Sequence, residues 1–328
     1  MKKLLLLLLI TPVIGLGQGE QRYADGTATD QDGNTFEWIN YGTQDWAIEN
    51  AVVETYRDGT PIPQVTGQAE WANLTTGAWC YYNNAQSKGK LYNWYAVAGI
   101  YDEASLNDES LRKEFVTEGW RVPTDDDWTT LENYLIANGY NHDQTTAENK
   151  IAKAMASTTG WNSSDRDFDI GNDQSLNNLS GFNTFPVGAR GTKSSFYYMG
   201  YYSFFWSSTE YDTSLAWHRI LGYNYRNLRR SEGNFKQSGF SLRFVRDAST
   251  ASKKDYSNAI TIYPNPTSSI INIEQDFTTA KVYDISGKEL LKSTSKTIDL
   301  SELPSSMYLL RLYDNSNKVL GISKVVKQ

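Results

Sequence analysis

The chain has a single cysteine, Cys80, in 328 residues, so an internal disulfide is excluded. A protein of this size holds together without one if its core is large enough, even in an oxidising compartment. Histidine is almost as scarce. His142 sits in Asn141-His-Asp143, which reads as a polar loop, and His218 in Ala216-Trp-His-Arg-Ile220, which reads as a strand. Neither has a second histidine or a cysteine at metal-ligand spacing, so both read as structural. No Walker loop, Gly-x-Ser-x-Gly elbow or HExxH motif is present. A basic excess is missing as well. Against 31 Lys and Arg stand 38 Asp and Glu, a net charge of −7, which excludes a nucleic-acid surface as the main function. The one cationic cluster, Arg226, Arg229 and Arg230, reads as a solvated strand face. No apolar run reaches the roughly 20 residues that a membrane-spanning helix needs.

The longest apolar run is at the N-terminus. Lys2 and Lys3 precede Leu4 to Ile10, and Gly15 and Gly17 occupy the −3 and −1 positions of a cleavage site. Residues 1–17 are therefore expected to be a signal peptide, leaving Gln18 first. No cysteine follows that would carry a lipid anchor. What the chain has in abundance is aromatic: 22 Tyr, 12 Phe and 10 Trp among many Gly, Asn and Ser turns, the composition of a strand-rich, loop-rich protein.

Asp247 to Asn258 is small, polar and without apolar periodicity, and places a linker at 248–258. After it, Ile260 to Tyr263, Ile270 to Ile273, Lys281 to Tyr283 and Tyr308 to Tyr313 are short strand-like runs separated by turn signals such as Pro264-Asn265-Pro266 and Ser286-Gly287. Residues 259–328 thus predict a small C-terminal β-sandwich. Before the linker, residues 24–247 predict a larger α+β unit. Thr124 with Asp125, Asp126 and Asp127 is a helix start, Trp128, Leu131, Tyr134 and Leu135 follow at helical spacing, and Gly139 stops the run. A second helix is predicted over Thr146 to Ser157.

The larger unit resembles the Fibrobacter succinogenes major paralogous domain. The carrying segments include Asp32 to Phe36, Gly42 to Asn50, Tyr56 to Pro63, Trp71 to Leu74, Leu91 to Val97, Gly119 to Thr124, Phe205 to Glu210 and Gly239 to Asp247. The resemblance implies a C-type-lectin-like fold related to that of the formylglycine-generating enzyme, with two helices flanking a twisted, mostly antiparallel sheet. Members commonly carry two cysteines where this chain has Val116 and Phe244, and the joint loss implies a bridge replaced by an apolar contact, with Cys80 a leftover buried thiol. The last unit resembles the C-terminal sorting domain of type IX secretion. Ile262 to Pro266, Ile271 to Ile273, Val282 to Lys288 and Ile298 to Ser301 with Leu303 carry the likeness, and Met307 replaces the usual glycine before Tyr308. It implies the type IX machinery as a partner and a secreted or outer-surface destination.

Two segments are candidates for ligand chemistry. Asp165, Asp167, Asp169 and Asp173 alternate through a Gly- and Asn-rich loop and could converge on a hard cation such as calcium, although Gly171 falls one place late for an EF-hand and Leu176 stands at its twelfth position. The alternative is a solvated acidic loop. Tyr197, Tyr198, Tyr201, Tyr202, Trp217, Tyr223 and Tyr225 are candidates for stacking on sugar rings, or for core. The copper and multi-histidine iron sets of related folds cannot be assembled here. The leading expectation is a noncatalytic surface protein that binds polysaccharide or another surface ligand. The alternatives are a self-assembling surface component and an enzyme using carboxylates such as Asp165, Asp167 or Glu210.

Overall fold

The computed structural model describes residues 21–85, 89–193, 195–248, 260–284, 288–315 and 319–328. The signal-peptide segment 1–17, most of the linker and the Ser286-Gly287 turn lie outside the described residues. The chain divides into two compact units between Ala248 and Ser249.

In the first unit, a four-stranded sheet forms from β1 (Gly26–Thr29), β2 (Thr35–Tyr41) and β3 (Gln44–Ala47), with β11 (Val245–Asp247) added antiparallel to β3. Two short strands, β4 (Trp79–Cys80) and β5 (Leu91–Tyr92), pair separately. A five-stranded sheet runs in the order β10 (Arg229–Phe235), β9 (Leu215–Gly222), β8 (Tyr202–Glu210), β6 (Val187–Arg190) and β7 (Phe196–Met199); its pairs are antiparallel except β6 with β8. Among the described residues, five α-helices lie between the strands: α1 (Gln68–Ala72), α2 (Trp94–Val97), α3 (Glu103–Asn107), α4 (Asp125–Ala137) and α5 (Ala152–Met155). The class is α+β, with strand predominating.

The period-2 alternation of β8 covers both faces of the five-stranded sheet. Phe204 and Trp206 join a buried cluster with Phe36, Tyr92, Trp94, Phe240 and Phe244. Phe205 points the other way and meets Trp128, Leu131 and Leu135 of α4, together with Ile39 and Trp46 of the first sheet. Val116 and Phe244 are both buried in the first of these clusters, so packing occupies the place where the family likeness implies a bridge.

Helix α4 starts where the sequence places it. Thr124 Oγ1 accepts from the Asp127 N–H at 3.0 Å, and Asp127 Oδ2 accepts from the Thr124 N–H at 2.9 Å, closing a capping box. The second predicted helix is a correction: of Thr146 to Ser157, only Ala152–Met155 is α-helical. The Asn141 side-chain amide donates to the carbonyls of Thr145, Ala147 and Glu148, and Glu148 has a positive φ of 61°. Those carbonyls are turned inward on a side chain and cannot start a helical ladder. The two helices implied by the family likeness are accordingly one of 13 residues and several single turns.

In the second unit, β12 (Ile262–Tyr263), β13 (Ile270–Ile273) and β16 (Thr297–Asp299) form one sheet. The other contains β15 (Glu289–Ser293), β14 (Thr279–Tyr283), β17 (Ser306–Tyr313) and β18 (Val319–Lys327). Ile271, Ile273 and Ile298 from the first close on Ala280, Val282, Leu310 and Leu312 from the second, a small β-sandwich around one core.

Candidate functional site

The aromatic segment between Gly191 and Gly233 folds into β7, β8, β9 and the turns between them, and six of its seven candidate residues become neighbours. Tyr197 packs edge-on to Tyr198 with ring centres 4.7 Å apart, and Tyr198 to Tyr202 at 5.1 Å. Tyr202 meets Tyr225 at 5.6 Å and Tyr223 at 6.3 Å, and Tyr223 meets Tyr201 at 5.3 Å. Edge-to-face packing of this kind fixes ring orientation as well as position. Tyr198 and Tyr201 remain 49 % and 44 % exposed, whereas Tyr197, Tyr202, Tyr223 and Tyr225 are half-buried.

Glycine makes room for the rings. A methyl group on Gly222 would come within 2.6 Å of the Tyr202 ring and 3.0 Å of the Tyr225 ring. Tyr198 itself has φ +70°, in the left-handed region that a bulky side chain seldom enters and that costs on the order of 1–3 kcal/mol. Burial and its tyrosine neighbours raise the pKa of the Tyr202 hydroxyl above its ordinary value, so it stays a neutral donor and acceptor.

Trp217 does not join the patch. On β9 it alternates with Ala216 and His218, which face the first core, so its ring stands on the opposite face of the sheet. There Tyr211 packs against it at 5.0 Å and the Arg230 guanidinium covers it at 3.5 Å. Arg230 also pairs with Asp125 at 2.8 Å, and the buried Arg219 pairs with the same carboxylate, a charge cluster at the start of α4 with Arg230 on its exposed side. Arg229 Nη1 donates to the Tyr225 hydroxyl at 3.3 Å, at the edge of the tyrosine patch. The third arginine of the run, Arg226, donates to the Asp167 carbonyl at 2.7 Å. The three arginines are thus parted among three surroundings.

The acidic loop borders the patch but does not gather its carboxylates. The Gly171 N–H donates to the Tyr223 carbonyl at 2.7 Å, and the Asn162 N–H donates to the Gly200 carbonyl at 2.8 Å. Asp165, Asp167 and Asp173 are exposed, whereas Asp169 is buried. Asp169 Oδ2 accepts from Ser164 Oγ at 2.7 Å, and its Oδ1 lies 3.4 Å from both Arg166 and Arg226. Among the described residues no three His, Cys, Asp or Glu side chains come together in a way that could hold a metal. The loop is instead drawn around Lys153 of α5, whose ammonium donates to the carbonyls of Asp169 at 3.2 Å and Asp173 at 3.1 Å and to that of Asn172. The four carboxylates that the sequence offered as possible ligands of a hard cation are thus not gathered at one point. Backbone oxygens face a lysine, and the carboxylates face solvent or arginines.

Of the residues that could have carried other chemistry, Cys80 and His218 are enclosed, whereas His142 is partly buried and Glu210 exposed. Cys80 is buried, and burial pushes its thiol up to about 11, with Arg190 pulling weakly the other way. His218 is packed among Trp206, Phe204 and Phe240, and burial lowers it to about 4. His142 stacks on Phe168 at 4.4 Å. Glu210 lies apart from the acidic loop's ion pairs, facing Lys236 at 3.4 Å and Arg112 at 3.9 Å in a cleft of about 520 Å³.

Sequence reasoning passed over a smaller cleft of about 380 Å³, lined by Phe36, Glu49, Asn183, Arg243 and Phe244 among others. Its sequence signal was an arginine placed between Leu242 and Phe244 in an otherwise apolar strand-like run.

Residues 39–246 match the Fibrobacter succinogenes major domain, and residues 261–328 match the secretion system C-terminal sorting domain. No curated protein and no solved structure matches the chain. No helix among the described residues is long and apolar enough to cross a membrane. The chain belongs to the Fibrobacter succinogenes major domain family and carries a type IX sorting domain, which directs it through that secretion machinery to the outer surface or the medium.

Proposed function

We propose that the chain is a noncatalytic binding protein whose larger unit is a C-type-lectin-like module recognising polysaccharide through its tyrosine patch. The observation that carries this reading is the continuity of six tyrosines, held edge to face on glycine and strained backbone, with Tyr198 and Tyr201 open to solvent. A backbone kept in an unfavourable conformation beside exposed aromatic rings is what a site, rather than a core, requires. Tyrosine offers a sugar ring both an apolar face and a hydroxyl partner. The exposed carboxylates of the bordering loop add acceptors for sugar hydroxyls without any need for calcium. A binding role is favoured over catalysis because Cys80 is held as a thiol and His218 as a neutral, enclosed imidazole.

The test is binding of the chain beginning at Gln18 to a broad glycan and polysaccharide panel, with calcium and with chelator. Saturable binding is expected, with Tyr198→Ala and Tyr201→Ala each weakening it about tenfold while leaving the melting temperature nearly unchanged. Binding unaffected by either substitution would remove the patch from the mechanism. Failure on every glycan together with concentration-dependent self-association would favour the self-assembling surface component.

A further inference from the structure

Arg243 lies just before β11 and is only 1 % exposed. Its Nη1 donates to the Ala47 carbonyl at 3.3 Å and its Nη2 to the Asn183 carbonyl at 3.4 Å, both long for such bonds. Its Nε has no hydrogen-bond partner among the described residues. The comparably buried Arg219 meets the carboxylate of Asp125, but no ion pair to Arg243 is found among the described residues. The rings of Phe182 and Phe205, 4.9 and 5.7 Å from the guanidinium carbon, offset part of the desolvation. The remainder is visible in the pKa of the guanidinium, which burial brings down to about 9. A buried charge with this few partners is expensive unless a counter-charge reaches it.

Arg243 also forms part of the wall of the 380 Å³ cleft, a volume within the range of small-ligand pockets. We propose that this cleft is a recognition site for a singly charged carboxylate, with Arg243 as its anchor. The guanidinium fork fits a planar carboxylate edge to edge. Phe36 and Phe244 supply apolar wall, and Asn34 and Asn183 line the same space. Two acidic residues of the lining limit the charge of the ligand. Glu49 accepts from the Glu37 N–H at 3.0 Å and acts on Arg243 through its charge without forming an ion pair with it, and Asp30 holds the side-chain amide of Asn34. Both would repel a doubly charged anion such as sulfate, and the site selects a monoanion. The carboxylate comes from a uronate unit of a polysaccharide or from a free small organic acid, which present the same planar group. None of the six clustered tyrosines lines this cleft, so the outcome is independent of the glycan patch.

The experiment is calorimetric titration of the chain beginning at Gln18 with glucuronate, acetate, glucose and sulfate. Carboxylate-dependent binding is expected, with glucuronate and acetate competing and glucose and sulfate inert. Glucuronate binding well ahead of acetate assigns the site to a sugar acid, and comparable binding assigns it to small organic acids. Arg243→Met is expected to weaken binding at least about tenfold. Because that substitution could unfold the chain, Glu49→Gln serves as the second variant. It leaves Arg243 in place and is expected to tighten carboxylate binding about threefold by removing a like charge. Glucose or sulfate binding as well as glucuronate, no binding of either carboxylate, or Glu49→Gln leaving affinity unchanged would each overturn the proposal.

Discussion

Single side chains in this protein show how far burial shifts ordinary chemistry. His218 packs against two aromatic rings and an indole, and its folded pKa of about 4 lies below the ordinary value of 6.5. The unfolded chain therefore binds a proton more readily than the folded one between those two values. The neutral histidine's contribution to stability is complete above about pH 6.5 and is lost as pH falls toward 4, at about 1.4 kcal/mol per pH unit. Denaturant unfolding at pH 7 and pH 5 should show His218→Leu losing less stability on acidification than the parent chain. An equal loss in both would mean that His218 is not the titrating group. The histidine was legible as a strand residue from its apolar neighbours. The enclosure of Arg243 was not, because a lone arginine in an apolar run reads equally well as an edge residue. Only the fold shows that Arg243 is enclosed at the wall of a cleft.

Among the elements, α4 was fully legible because its signals are local. Thr124, Asp127 and the apolar spacing act within three or four residues of each other. The helix expected over Thr146 to Ser157 failed because Asn141, outside that window, captures its carbonyls. The tyrosine patch was half legible. The segment was visible from composition, but the exclusion of Trp217 depends on strand parity, which composition does not carry. The acidic loop depends on α5 in the same non-local way. Replacing Lys153 with Met should accelerate amide hydrogen exchange of residues 165–175 well before it affects exchange in β8 and β9. Uniform acceleration through the unit, or none, would mean that the lysine does not fasten the loop.

For the molecule as a whole, the decisive feature is that each unit has its own core. Phe204, Trp206 and α4 belong to the first unit, and Ile271, Val282 and Leu310 to the second. Calorimetry of the chain beginning at Gln18 should therefore show two transitions, and removing residues 259–328 should delete one while leaving the other within a few degrees. A single transition abolished by that truncation would show that the units fold only together. The family assignments were legible at this scale because they rest on long runs of residues in order. A binding partner is not specified in that way, since a few side chains of one patch decide it.

The ammonium of Lys153 inside the acidic loop has one more consequence. A metal ion in that place would be borrowed from the surroundings, and outside the cell the supply changes with every habitat. A lysine is delivered with the polypeptide, one per chain. It cannot be diluted away, captured by a competing chelator or exchanged for a wrong ion. What draws the backbone of this loop together is therefore a group of the chain's own.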